Sequence, residues 1–251
     1  MSTNEKFGRQ TQVVPWTQQP QVRAKVTVNY QDGLILCMHA PTLGDISGVK
    51  NNLTYTLSPN LDRVVGGAGQ GLRYQHNTPT FYYDNASSLV SNKNVIVISA
   101  VVQKMWAGNP LVVLQSWQAY TQLICKIEIN GSITWGVYQD SSNVLVKSTA
   151  AGTIQPDKIY SLVVAFENGE MSCFINGTPV AFEPGGWIAG TVTATSIANQ
   201  HLITGGDSSN WHAGTIYHLA AWTRPGLPKQ KLSGNPWQIF QPIDRKAWVS
   251  A

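Results

Sequence analysis

The sequence predicts an all-β protein: an antiparallel β-sandwich of about a dozen strands with almost no helix. Three observations carry this. Asn-Gly pairs recur at Asn130-Gly131, Asn168-Gly169 and Asn176-Gly177 within one stretch, Leu123 to Glu183. A tight hairpin needs positive φ at its central residues, and Asn and Gly adopt it with little strain. Between these turns apolar residues alternate with period two, the pattern of half-buried strands. Pro, Gly and β-branched residues recur too often for an amphipathic helix, and only Lys229 to Leu232 could form a helical turn.

The elements follow in chain order. Residues 1–24 are rich in Gln, Thr and Pro, with Val13, Val14 and Trp16 as their apolar cluster. Such a segment cannot form its own core. It reads either as a loose terminus or as an extended arm that docks on a neighbouring subunit, with Trp16 as anchor. Lys25 to Tyr30 alternates, Asp32-Gly33 makes a turn, and Leu34 to Met38 is a short buried strand. Leu43 to Tyr55 is loop-like. Gly66, Gly67, Gly69 and Gly71 cluster before Leu72-Arg73-Tyr74. A phosphate-cradling loop would need a helix after the glycines, whereas strand-like Phe81-Tyr82-Tyr83 follows, so a β-connection is the better reading.

Val95 to Val102 is apolar on both faces, which marks a strand covered on both sides. Leu111 to Leu114 follows the Asn109-Pro110 turn, and the Asn-Gly meander comes next. Ile133, Trp135 and Val137 share one face there, and Tyr160, Leu162, Val164 and Phe166 another. Leu202 to Thr204 is short. Thr215 to Trp222 alternates, with Ile216, His218, Ala220 and Trp222 opposite Tyr217, Leu219 and Ala221. The organisation expected is an arm at 1–24, a sandwich at 25–242 and a tail at 243–251.

Composition narrows the function. The 251 residues are 43% hydrophobic and 12% charged, about half the roughly 25% charge of an average globular chain. Nine Trp with so few charges suggest a surface that other protein covers, or one that binds through aromatic and amide groups. The net charge of +4 is scattered, without the basic stripe a nucleic-acid partner requires. Cys125 is in phase with Leu123, Ile127 and Ile129, and Cys173 with Met171 and Ile175, so both read as reduced core residues. No Cys-x-x-Cys pair points to zinc or redox chemistry. Met1 to Arg9 is polar, and no run of apolar residues is long enough to cross a membrane. Synthesis in a reducing cytoplasm without a signal peptide is therefore expected. Asn-x-Ser/Thr triplets at Asn52, Asn85, Asn130 and Asn176 are read as chance matches to glycosylation acceptors, two of them being hairpin turns.

The order of these pieces resembles the laminin-G-like branch of the concanavalin A-like lectin/glucanase jelly rolls. Gly71 to Tyr74 with Phe81 to Tyr83 is similar to that family's "G-x-x-x-F … Y-V" strand. Val95 to Val102 is similar to "F-T-V-S-A-W-V". Tyr160 to Phe166, Asn168-Gly169 and Cys173 to Gly177 are similar to "W-H-H-V-A-V-T-Y-D-G … L-Y-V-D-G", and Gly214 to Trp222 to "F-x-G-x-I-D-D-V-R-I-Y". The stretch Leu232 to Pro242 resembles a closing segment of laminin-G-like proteins of tailed phages and prophages. Physically it suits a strap, since Pro236 and Pro242 stop regular structure while Trp237, Ile239 and Phe240 have large apolar areas to bury.

The resemblance covers residues 30–242 and implies a jelly-roll sandwich, from whose enzymes this chain departs. The family's glucanases carry Glu-x-Asp-x-x-Glu-like carboxylates, but the five Glu here (Glu5, Glu128, Glu167, Glu170, Glu183) include no such set. A retaining glycosidase needs two carboxyl groups about 5 Å apart, and Glu167 and Glu170 flank a turn as solvated residues. The five His sit on separate elements, and His218 reads as a partly buried structural residue. No Gly-x-Ser-x-Gly elbow supports a serine hydrolase. Laminin-G-like domains often hold calcium at the rim, yet the Gly206 to His212 loop offers one Asp where calcium prefers several carboxylates. No cofactor is therefore expected, with calcium at that loop as the alternative. A sugar would be sought at Asp207, Asn210 and Trp211, which combine a carboxylate, an amide and a stacking aromatic. The leading expectation is a non-enzymatic structural protein of a bacteriophage particle: a capsid decoration, fibre or tail-associated subunit in the virion. It would contact other virion proteins and self-associate, with Val13, Val14 and Trp16 as assembly contacts. The alternative is a glycan-binding module that contacts the host surface.

Overall fold

Positive φ appears where the Asn-Gly pairs required it. Asn168 (φ 51) and Gly169 (φ 90), like Asn176 (φ 49) and Gly177 (φ 82), form two-residue hairpin turns with both central residues left-handed. Asn130-Gly131 turns differently. Only Gly131 (φ 79) is left-handed there, and its N–H donates to the Glu128 carbonyl at 3.0 Å while Glu128 N–H donates to Ser132 O at 2.8 Å. This is a three-residue loop closed by a glycine.

The computed structural model describes residues 30, 32–39, 44–45, 53–55, 62–66, 68–75, 81–83, 93–105, 110–117, 123–195, 201–205 and 213–236. Its strands are β1 (Leu34–His39), β2 (Gly44–Asp45), β3 (Leu53–Tyr55), β4 (Asp62–Gly66), β5 (Gly69–Gln75), β6 (Phe81–Tyr83), β7 (Val95–Lys104) and β8 (Leu111–Trp117). There follow β9 (Leu123–Ile127), β10 (Ile133–Tyr138), β11 (Val144–Ser148), β12 (Ile159–Glu167), β13 (Glu170–Ile175), β14 (Thr178–Val180), β15 (Trp187–Ala189), β16 (His201–Gly205) and β17 (Ala213–Trp222). A short helix, α1 (Lys229–Gly234), closes the described chain and extends the helical turn expected at Lys229 to Leu232.

These strands build two antiparallel sheets. One runs β14-β13-β12-β7-β17-β1-β2, with the β4–β5 hairpin attached through β5 to β17. The other runs β15-β11-β10-β9-β8-β16-β6-β3. The expected all-β sandwich is therefore present. Short strands of two or three residues (β2, β3, β6, β14, β15) add to the longer ones that make up the expected dozen. Two of the additions, β2 and β3, fall in the stretch read as loop. They pair over only two and three residues, with β1 and β6, too short for an alternating pattern to register. The glycine cluster likewise forms a hairpin of its own, β4 with β5. A Cβ on Gly71 would lie 2.7 Å from the Tyr217 ring, so the bare backbone there admits that ring.

The Asn-Gly meander does not lie in one sheet. β9 to β11 belong to the second sheet and β12 to β14 to the first. Residues 149–158 carry the chain across, and no periodicity in the strands themselves records that crossing. Both halves still face the same core. Leu123, Cys125, Ile127, Ile133, Trp135 and Val137 meet Leu162, Val164, Phe166, Cys173 and Ile175 there, with Tyr160 and Met171 packed against them. The indole N–H of Trp135 donates to Ala165 O at 3.1 Å and ties β10 to β12 in the opposite sheet. Ile129 departs from its expected phase, because the loop at Gly131 leaves it 55% exposed at the hairpin tip.

β7 is covered on both sides, as its sequence requires. Ile96, Ile98, Ala100 and Val102 enter the inter-sheet core. Val95, Val97 and Val101 join a second cluster on the outer face, with Tyr30, Trp222, Leu227 and Leu232 among its members. Trp222 fixes this cover through an indole N–H bond to Tyr30 O at 2.8 Å. Helix α1 completes it. Lys229 pairs with Glu167 at 2.6 Å, and the Ser233 hydroxyl accepts from Gly177 N–H at 3.0 Å and donates to Ser161 O at 3.3 Å. Glu167 is thus an ion-paired, half-buried residue rather than a solvated one.

The alternation of β17 breaks at a bulge. Its register against β7 shifts between Ile216 and His218, so Ile216 joins Leu219 and Ala221 in the inner core while Tyr217, Ala220 and Trp222 lie in the outer cluster. One unpaired residue moves all that follow to the opposite face. His218 is fully buried rather than partly so.

Candidate functional site

Asp207, Asn210 and Trp211, and the arm residues Val13, Val14 and Trp16, lie outside the described residues, as does the loop considered for calcium. Among the described residues no group of three His, Cys, Asp or Glu could hold a metal ion. The described residues bring an aromatic site together elsewhere, at the edge of the second sheet.

That edge is β15, which pairs with β11 through Val144↔Ala189, Leu145↔Ile188 and Val146↔Trp187. Trp187 is 56% exposed, which is unusual for a residue of this apolar area. It packs edge-on against Tyr138 at the end of β10, with ring centroids 5.5 Å apart and planes at 82°. Such T-shaped pairs set the positive edge of one ring against the negative face of the other. Tyr138 is half-buried, and burial pushes its phenol pKa up. Both rings stand on paired strands, so an aromatic surface is held in place and open to solvent.

Backbone chemistry fixes this edge. Gly185 (φ 102) and Gly186 (φ 107) turn the chain into β15 through a region that side chains rarely adopt. A Cβ on Gly186 would land on the Val146 carbonyl oxygen, while one on Gly185 would meet nothing within 4 Å. The β10–β11 turn supports the far side. The Asp140 carboxylate accepts from Ser142 N–H at 2.7 Å, Asn143 N–H at 2.8 Å and the Asn143 amide at 2.8 Å. The Asn143 side chain first, and the Ser142 backbone next, hold this carboxyl below its ordinary range. Asn143 Oδ1 in turn accepts from Thr191 N–H at 2.9 Å, and Gln139 Oε1 accepts from Thr193 N–H at 2.9 Å. Two turn residues thereby pin the segment that leaves β15.

Sequence reasoning missed Trp187 and Tyr138. The available signal was Pro184-Gly185-Gly186-Trp187-Ile188, a turn followed at once by two large apolar residues that must face opposite ways on a strand. On this edge strand both are exposed, Trp187 at 56% and Ile188 at 55%.

Lys126, Glu128 and Lys104 make structural contacts. Glu128 pairs with Lys126 at 3.1 Å and accepts from the Thr134 hydroxyl at 2.8 Å. Lys104 is buried at the rim and donates to Ile129 O at 2.6 Å; desolvation lowers its pKa, with Glu128 opposing. Cys125 and Cys173 are free and buried, as expected for core thiols, and Cys37 is buried as well. Burial pushes the Cys173 thiol up to about 12 and raises Cys125 as well.

No protein-family model matches the chain, and no curated protein is similar to it in sequence. Solved structures share its architecture. A botulinum neurotoxin type C structure, described by its interaction with two ganglioside molecules, superposes with a TM-score of 0.62 at 12% identity, over 85% of this chain and 53% of its own. The binding domain of botulinum neurotoxin DC in complex with SialylT gives 0.60 at 11%, over 85% and 53%. A Trypanosoma rangeli sialidase in complex with 2,3-difluorosialic acid gives 0.51 at 15%, over 72% and 29%. The chain thus spans about half the length of the two neurotoxin chains. At these identities the likeness shows the fold alone, a β-sandwich. These neighbours lend no support to the virion reading.

Proposed function

We propose that this chain is a non-catalytic glycan-binding module whose contact surface is the Trp187–Tyr138 pair. The observation that carries the proposal is an exposed indole, braced by a second ring and seated on a paired strand. The C–H-rich face of a pyranose stacks on such a surface, and an aromatic with a polar tip serves well where one end is apolar and the other wet. Preformed geometry lowers the ordering entropy lost on binding. The ligands of the structural neighbours, gangliosides and a sialylated compound, lie in the same chemical class. The match covers only 53% of those chains, so the support from them is secondary to the aromatic pair. The test is a glycan array probed with the wild-type protein and with Trp187→Ala. Binding to a defined set of glycans that Trp187→Ala loses supports the proposal, and an array silent with wild type refutes it.

The second reading is a structural subunit of a phage particle, favoured by one observation. The start of the stretch that resembles a phage closing segment is docked at the end of α1: Leu232 is in the outer cluster and Ser233 bonds to β12 and the β13–β14 turn, while Trp237, Ile239 and Phe240 lie outside the described residues. Self-assembly in light scattering without any glycan affinity would favour this second reading.

A further inference from the structure

Three Asn-Gly dipeptides lie in exposed turns, and the structure treats their glycine amides differently. Asn130, Asn168 and Asn176 are all exposed. In each, the side-chain carbonyl accepts a hydrogen bond: from Ser132 N–H at 2.9 Å, from the Asn94 amide at 2.9 Å and from Ser161 N–H at 2.8 Å respectively. The following amide separates them. Gly131 N–H is held by Glu128 O at 3.0 Å, and Gly177 N–H by the buried Ser233 hydroxyl at 3.0 Å. Gly169 N–H has no hydrogen-bond partner among the described residues.

We propose that Asn168–Gly169 is a self-modification site of the folded protein, and that Glu128 and Ser233 protect the other two pairs. The Gly169 amide nitrogen attacks Cγ of Asn168 and gives its proton to solvent base. The bond from Cγ to the side-chain nitrogen breaks, ammonia leaves, and a succinimide closes. Water then adds to one of the two imide carbonyls and breaks its C–N bond. The products are aspartate at 168 or its β-linked isomer. An amide already bound to an acceptor must give up that bond before its nitrogen can turn onto Cγ, and Gly169 has none to give up. The Asn94 amide on Asn168 Oδ1 also stabilises the charge that develops on that oxygen.

The consequence is local and structural. A new carboxylate would stand between Glu167 and Glu170, and the β-linked product would insert an extra backbone carbon into a two-residue turn. Glu167 is the partner of Lys229 on α1, so the change occurs where the closing helix anchors.

The test is peptide mapping by mass spectrometry of the full chain, folded and urea-unfolded, after incubation in mildly alkaline buffer. In the folded protein Asn168 should convert several-fold faster than Asn130 or Asn176, whereas unfolding should bring the three rates together. Equal or faster conversion at Asn130 or Asn176 in the folded protein overturns the proposal, as does the same ranking in urea. Ser233→Ala supplies a second arm: conversion at Asn176 should rise with Asn168 unchanged. An unchanged Asn176 rate in a folded Ser233→Ala protein overturns the protecting role of Ser233.

Discussion

Replacing Gly186 with alanine should unseat Trp187 while leaving the sandwich folded. The added methyl would meet the Val146 carbonyl oxygen, and φ of 107° is already unfavourable for alanine. Something must move. β11 is paired on both sides, with β10 and β15, whereas β15 is a three-residue edge strand bearing two half-exposed side chains. The edge therefore gives way. Backbone strain of this kind is of order 1–3 kcal/mol, and detachment of β15 limits how much reaches the core. At about 2–4 °C per kcal/mol for a domain of this size, the melting temperature should fall by roughly 2–12 °C. Gly185→Ala is the matched control. It has nearly the same φ but no atom within 4 Å of the new methyl, so it carries strain without collision. Thermal melts followed by circular dichroism, with glycan titration of each variant, make the comparison. Gly186→Ala should lose glycan binding and Gly185→Ala should keep most of it. A Gly186→Ala protein that binds and melts like wild type would refute the reasoning that this glycine seats the indole.

Other consequences concern the core. Trp135→Ala should lose roughly 3–5 kcal/mol in urea unfolding, as large core truncations do. Trp135→Phe should lose less, about 1–3 kcal/mol, chiefly for the bond to Ala165 O. Burial pushes His218 down to about 3 from an ordinary 6.5. Between those values the unfolded chain binds a proton that the folded chain refuses, so stability is full above the unfolded value and falls on acidification. The slope from this residue is at most about 1.4 kcal/mol per pH unit, and His218→Gln should remove it from the pH dependence of urea unfolding. An identical acid slope in that variant would contradict the assignment. Cys37, Cys125 and Cys173 should resist iodoacetamide in the native protein and react in denaturant, with labelling read by intact mass.

Much of the fold was legible because its signals are local. Asn-Gly turns, the doubly apolar Val95 to Val102 and the faces of β10 and β12 each follow from a few neighbouring residues. What was not legible depends on distant pairing. The bulge in β17 reassigns Ile216 relative to Ala220 and Trp222, yet it exists only as a register against β7. The division of the meander between sheets is set by where β11 and β12 find partners, and periodicity is blind to that. Two-residue β2 has no period to detect. The aromatic pair was hidden for the same reason. Tyr138 and Trp187 are 49 positions apart in number and meet only because β10, β11 and β15 lie side by side. Asp207, Asn210 and Trp211 follow from residue type alone and lie outside the described residues.

The most direct measurement is calorimetric titration of one array-selected glycan into wild-type protein and into Trp187→Ala. Removing the indole also removes its pairing with Tyr138, worth about 0.5–1.5 kcal/mol, so the variant should melt only a few degrees lower. Saturable binding by wild type, lost in a Trp187→Ala protein that still unfolds in one cooperative transition within a few degrees of wild type, is the result expected if the Trp187–Tyr138 pair is the contact surface. Undiminished binding by Trp187→Ala would contradict it and place the contact elsewhere on the sandwich.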